Sequence, residues 1–363
     1  MNLKLRFLWI HDIPGAGKTV LASHLIECIG KVCQSNPRKG KPVPHVYYYF
    51  YHARDQDETE HLLRWILDQL CCHLGKIPSP IYELYRQGQQ PTISNLLFCV
   101  EEALEELETV FLVVDAVDES FPREKLLQVL HSFATEERFG KIQLLATSRE
   151  YNDIHTMLAD ASAPLSISNP LVTHDIKKYV ASILRSDKRF KSWPKTPRLV
   201  KKVEATLAKG VKGMFRWAVC QLEVLRRQRG VDGIRNALRD LPPTLDETYC
   251  RIFSSIERED WTFLRHILRW IIFHNIIHWN DKTEEYDIEK YLAVTHILQS
   301  YSVCYKAEPM LYNRDALLEV CGCLITLTSD SSQDDGKSSQ DDGNWNRDDG
   351  VQLAHYTVKE FLN

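Results

Sequence analysis

The sequence has no apolar run approaching the ~18 residues that a membrane-crossing helix requires. Its opening stretch, MNLKLRFLWI, lacks the apolar core and small-residue cleavage site of a signal peptide. Among ten cysteines there is no Cys-x-x-Cys pair. Most cysteines lie in apolar runs, as Cys28, Cys99 and Cys220 do, where a free thiol behaves as a small hydrophobe. We therefore expect no structural disulfide, a reducing compartment and a cytoplasmic location. Neither sign of charge is in excess: 45 Lys and Arg stand against 49 Asp and Glu, a net charge of −4. The surplus acid sits between Ser329 and Gly350, where seven Asp face only Lys337 and Arg347. The rest of the chain is close to neutral, so bulk charge makes no case for nucleic acid or an anionic membrane as the main partner. Glycine and proline, 15 each, are too few for a collagen-like or globally disordered chain. What remains is 363 residues of ordinary globular composition, enough for two or three domains.

The first half alternates short apolar runs with helical patterns, the signature of a parallel α/β sheet. Five runs read as strands: Leu5–Ile10, His45–Tyr51, Val110–Asp115, Ile142–Ser148 and Leu165–Ser168. The middle three show little alternation, as expected for strands covered on both faces. Between the runs, three sets share helical faces: Val20 to Val32, Leu62 to Leu70, and Leu97 to Leu107. From about Thr173 the pattern turns helical, over His174–Leu184, Pro197–Leu207, Gly213–Gln228, Asp232–Leu238, Leu245–Ile256 and Trp261–Phe273. Leu241-Pro242-Pro243 breaks this run, because proline cannot continue a helix. Near the end, helix Arg314–Val320 precedes two strands, Leu324–Thr328 and Val351–His355, and helix Thr357–Leu362 follows. Helices followed by a late hairpin suggest a winged helix. The tract between those strands repeats SSQDDG and is too polar to order itself, so we expect a disordered surface insertion over 329–350.

Three segments carry chemistry. Asp12-Ile13-Pro14-Gly15-Ala16-Gly17-Lys18-Thr19 follows a strand and opens an amphipathic helix that continues with Val20, the context a phosphate-binding loop requires. Glycines let backbone N–H groups curl around phosphate oxygens and the helix N-terminus adds a favourable dipole. Lys18 reaches the β- and γ-phosphates, and Thr19 holds Mg²⁺. Asp12 stands where the pattern has glycine and puts a carboxylate at the mouth of an anion site, so weakened binding is expected. Val110–Asp115 is a buried strand ending in an acid, which places Asp115 to bind Mg²⁺. Glu119 or Asp118 then orients the attacking water. Leu144 to Ser148 is a third such strand, and Arg149 at its end is placed to sense the γ-phosphate.

IPGAGKTVLAS, LVVDAVDES and LLATSRE, in this order, resemble the NACHT branch of the STAND P-loop NTPases. The likeness is to the fungal form with a nephrocystin-like N-terminal NTPase module. It extends through VTHDIKKYV, GMFRWA, LPPTLDETY and the closing segment LAHYTVKEFL, and so spans essentially the whole chain. The resemblance implies an α/β P-loop sheet with helices on both faces at residues 1–170. An all-helical domain at 171–240 and a winged-helix-like domain at 241–363 would follow. It implies ATP/ADP and Mg²⁺ as cofactors, slow hydrolysis, and a role in signalling or self/non-self defence. The closed form would hold ADP; the active form would hold ATP and be a homo-oligomer. It implies that His355 touches the β-phosphate and that Met214 and Phe215 lie where the helical domain closes over the nucleotide. Family members carry an effector domain upstream and repeats downstream, so the resemblance points to a truncated product with unknown effector and sensor partners.

Other features read as structural. His274-x-x-x-His278 has helical metal-ligand spacing without a third ligand, and Cys71-Cys72-His73 puts adjacent residues on different helix faces. The basic stretch from Arg185 to Arg198 reads as a solvated face. Two rival functions stay open at this point: a P-loop kinase acting on a small acceptor, and a nucleotide-free interaction scaffold.

Overall fold

The computed structural model describes residues 6–35, 42–54, 56–167, 170–187, 190, 197–228, 230–279, 297, 301, 304, 314–328 and 350–362. The chain forms two compact units, Met1–Val172 and Thr173–Asn363.

The first unit is a five-stranded sheet in the order β2-β3-β4-β1-β5, with every neighbouring pair parallel. Its strands are β1 (Phe7–His11), β2 (His45–Tyr49), β3 (Val110–Asp115), β4 (Ile142–Ser148) and β5 (Ala163–Ser166). The helices are α1 (Lys18–Ser35), α2 (Thr59–Leu74), α3 (Ser79–Arg86), α4 (Ile93–Glu105), α5 (Glu124–Thr135) and α6 (Asn152–Leu158). Successive strand side chains point to opposite faces, and both faces are apolar. Phe7, Trp9, Leu112, Val114, Leu144 and Ala146 pack with α2, α4, α5 and α6 on one face. Ile10, Val113 and Leu145 pack with Ala22, Leu21, Leu25 and Ile29 of α1 on the other. This is a parallel α/β sheet with helices on both faces, as expected.

Two strand ends differ from the sequence pattern for physical reasons. β2 stops at Tyr49: the Phe50 N–H makes the last bond to β3, to the Asp115 carbonyl (3.0 Å), and the Tyr51 N–H turns to the Glu58 carboxylate (3.3 Å). β5 begins at Ala163 and contains Pro164, which an edge strand with one neighbour tolerates. Helices α3, α5 and α6 are additional to the three read from the periodicity; α3 buries none of its residues.

The second unit contains α7 (Pro170–Ser186, which straddles the boundary), α8 (Pro197–Gly210), α9 (Phe215–Arg226), α10 (Val231–Arg239), α11 (Leu245–Ser254), α12 (Trp261–Trp279) and α13 (Arg314–Cys321). An antiparallel hairpin of β6 (Ile325–Thr328) and β7 (Gly350–Leu353) leads to α14 (Tyr356–Leu362). The acidic tract Ser329–Asp349, the basic residues Lys188, Arg189, Lys191 and Lys195, and the side chains of His274 and His278 lie outside the described residues.

Candidate phosphate and magnesium site

The carboxyl ends of β1, β3 and β4 lie side by side, and the loops leaving them hold the predicted site residues. In the β1–α1 loop, Gly15 and Gly17 sit at φ +72° and +95°, in the region where a Cβ is strained, so both positions need glycine. Pro14 and Ala16 complete the turn, and α1 opens on Lys18, Thr19 and an exposed Val20. Lys18 folds back over the loop, its Nζ donating to the carbonyls of Asp12 (2.9 Å) and Ile13 (3.0 Å). Burial holds the Lys18 ammonium below the usual lysine range. Asp118 opposes that shift, Arg149 adds to it, and Asp12 and Asp115 oppose it. Four charged side chains from three strand ends thus bear on one cation.

Asp12 is buried, and its carboxylate is engaged within the loop. Oδ1 accepts from the Ile13 N–H (2.6 Å) and Oδ2 from the Ser166 hydroxyl of β5 (3.1 Å). The residue that departs from the glycine pattern therefore caps the turn it replaces.

Asp115, at the end of β3, is 2% exposed. Burial pushes its pKa up, against hydrogen bonds from the Thr147 and Thr19 hydroxyls that favour the charged form. Thr147 also accepts from the Ala116 N–H (2.9 Å), where the chain turns through φ +59°. Thr19 and Asp115 thus bring two hard oxygen donors together. Mg²⁺ keeps several waters and takes one or two protein ligands beside phosphate, so this pair fits it. Among the described residues no group of three His, Cys, Asp or Glu side chains could hold a metal.

The acids after β3 have separate partners. Asp118 accepts from the Arg149 N–H (3.0 Å) and faces its Nε (3.3 Å), both side chains being nearly enclosed. Burial raises the Asp118 pKa, and the Arg149 guanidinium lowers it. Glu119 Oε2 accepts from the His52 N–H (3.0 Å) and lies 3.2 Å from His52 Nδ1.

Sequence reasoning missed His52, Glu58, Ser120, Thr147 and Ser166. Glu58 is fully buried; it accepts from the Tyr48 hydroxyl (2.6 Å), pairs with Arg54, and its N–H donates to Ser120 Oγ (3.3 Å). This knot ties the end of β2 to the segment carrying Glu119. Only Thr147 had a signal, a small polar residue closing an apolar strand. The His52–Glu119 contact spans 67 positions, beyond any local pattern.

In the second unit, His355 Nδ1 accepts from the Thr357 N–H (3.2 Å) and lies 2.9 Å from its hydroxyl. A neutral His355 therefore carries its proton on Nε2. The Thr357 hydroxyl meets Tyr249 (2.8 Å), which accepts from Arg216 Nε (3.1 Å). Met214 precedes α9 and Phe215 begins it.

Residues 2–149 match the family model described as Nephrocystin 3, N-terminal. A curated relative, vegetative incompatibility protein HET-E-1 of Podospora anserina, is 24% identical over 283 residues. That alignment covers 72% of this chain and 20% of the relative, so the chain spans about a fifth of its length. Both findings agree with the resemblance to nephrocystin-like, NACHT-type NTPases. Among solved structures, Drosophila ORC bound to DNA aligns with 100% of this chain and 82% of its own, at TM-score 0.41 and 13% identity. Cdc6p from Pyrobaculum aerophilum aligns with 99% of this chain and 89% of its own, at TM-score 0.40 and 12% identity.

Proposed function

We propose that this nucleotide-binding P-loop module works as an ATP/ADP switch of the STAND type, with slow hydrolysis and nucleotide-controlled self-association. The observation that carries the reading is the convergence of Lys18, Thr19, Asp115 and Arg149 at adjoining strand ends behind a loop with two left-handed glycines. The loop N–H groups and the α1 N-terminus would receive the phosphates, and Lys18 would exchange its two loop carbonyls for phosphate oxygens. Thr19 and Asp115 would hold Mg²⁺, which supplies charge neutralisation at the phosphates. Glu119 or Asp118 would orient water. Arg149, already positioned by Asp118, would read the γ-phosphate.

Equilibrium binding of labelled ADP and ATP, with and without Mg²⁺, tests this on wild type and Lys18→Ala. Loss of the loop's cation removes charge-assisted bonds of about 2–4 kcal/mol, so affinity should fall by roughly 30-fold or more. Equal binding by the variant, or no binding by wild type, would falsify the proposal. Self-association is tested by light scattering with a non-hydrolysable ATP analogue against ADP; the same mass in both sinks that part. The role that the resemblance gives His355 is tested by His355→Ala, which should weaken ADP binding in the full chain.

A further inference from the structure

In the second unit, Cys220 on α9 and Cys323, in the 3-10 turn leading into β6, place their sulfurs 3.6 Å apart, and both residues are buried. All ten cysteines are free thiols. The approach of these two does not depend on sulfur. Arg216, one turn before Cys220, donates to the Cys323 carbonyl, and Arg227 donates to the Glu319 carbonyl at 2.8 Å. Gly322 lies so close to α9 that a Cβ there would come within 2.8 Å of Arg227 Nη2 and 3.4 Å of Glu223 Cγ. The sulfurs must close from 3.6 Å to the about 2.05 Å of a disulfide.

The two sulfurs are chemically unequal. The Cys220 hydrogen bond holds the Cys323 thiol below the ordinary range against the effect of burial, and Arg216 adds to the lowering. Cys220 is pushed up by the same contact and by burial. That inequality favours Cys323 as the attacking sulfur of the pair and Cys220 as the resolving thiol. At neighbouring Cys321, burial outweighs the Arg227 guanidinium and pushes the thiol up to about 12.

We propose that Cys220 and Cys323 are an oxidisable dithiol, a modification site that a hydroperoxide converts into a disulfide joining α9 to the base of the β6–β7 hairpin. The Cys323 sulfur, giving up its proton as it reacts, attacks one peroxide oxygen. An S–O bond forms, the O–O bond breaks, and the departing hydroxide takes up a proton to become water. Cys220 sulfur then attacks the sulfenic sulfur, an S–S bond forms, and the sulfenic hydroxyl leaves with the Cys220 proton as a second water. Two thiols lose two electrons, and one hydrogen peroxide becomes two waters. The bridge spans 103 positions and restrains the unfolded chain accordingly.

The full native chain is treated with hydrogen peroxide, blocked with a maleimide and mapped by mass spectrometry without reduction. The expected product is a Cys220–Cys323 linked peptide, with an unfolding midpoint for the second unit raised by about 5 °C or more and restored by dithiothreitol. Cys220→Ala should abolish the link and leave a Cys323 sulfenic acid that dimedone traps. Absence of the link at a dose that has modified exposed Cys72 and Cys250, or a bridge through Cys321 instead, overturns the proposal. The readout involves no nucleotide, so it stands or falls separately from the switch reading.

Discussion

Asp12 shows how one side chain can break a motif and keep its geometry. Its carboxylate is bonded to the Ile13 N–H and the Ser166 hydroxyl, yet still bears on Lys18. Asp12→Asn keeps an oxygen for the Ile13 N–H, replaces the oxygen that accepts from Ser166 with an amide donor, and removes the charge. At an effective dielectric near 20, that charge repels nearby phosphates, an effect that salt screens. We expect the variant to bind ADP about two- to tenfold more tightly, with the gain shrinking as salt rises; titrations at two salt concentrations check this, and unchanged affinity at low salt refutes it. Glu119 is held by His52. Glu119→Gln should leave ATP binding largely intact and slow hydrolysis by about 10²–10⁴-fold. His52→Ala should change turnover in wild type and have no effect in the Glu119→Gln background, a double-mutant cycle read from single-turnover rates.

At the scale of elements, the junction after β2 is the most exacting part of the first unit. The β ladder ends at Tyr49, and Glu58 takes over by accepting from Tyr48 and Tyr51 while pairing with Arg54. Burial raises the Tyr48 pKa, which keeps its hydroxyl a donor to Glu58. Removing one partner from a buried charge pair strands the other. Glu58→Leu should therefore lower stability by about 3–5 kcal/mol, measured by denaturant unfolding. An exposed change on α3, such as Tyr85→Ser, should stay within about 0.5 kcal/mol, since Tyr85 is 80% exposed.

At the scale of the molecule, the first unit is energetically divided between folding and binding. Asp115 and Asp118 have raised pKa values, so the folded chain holds their protons to higher pH than the unfolded chain does. Their contribution is most favourable below the unfolded value of 3.8 and is lost as pH rises through the folded values. At neutral pH the ligand-free site therefore costs stability. Asp115→Asn should raise the unfolding temperature of the nucleotide-free protein at pH 7, with the gain vanishing toward about pH 4, while Mg²⁺ dependence of nucleotide binding weakens. Thermal scans across that range decide it. Among the described residues, the buried clusters on both sheet faces are built from residues up to Ile167. Residues 1–172 expressed alone should thus unfold in one cooperative transition.

The amino-acid pattern by itself determined the parallel sheet, the glycine-bearing loop between β1 and α1, the acid-ended β3 and the late hairpin. Each is written in local periodicity or in residues adjacent along the chain. Glycine at positions 15 and 17 and the run Val110–Asp115 are such signals, and they predict their own conformations. Tertiary structure alone decided what those elements do to one another. It turned Asp12 toward Ser166, 154 positions away, and placed Thr147 on Asp115. It set Asp118 against Arg149 and Glu119 against His52, and brought Cys220 to Cys323. The physical reason is that a buried polar atom must find a partner, and in a parallel sheet its spatial neighbours lie on strands joined through intervening helices. No window along the chain contains both members of such a pair.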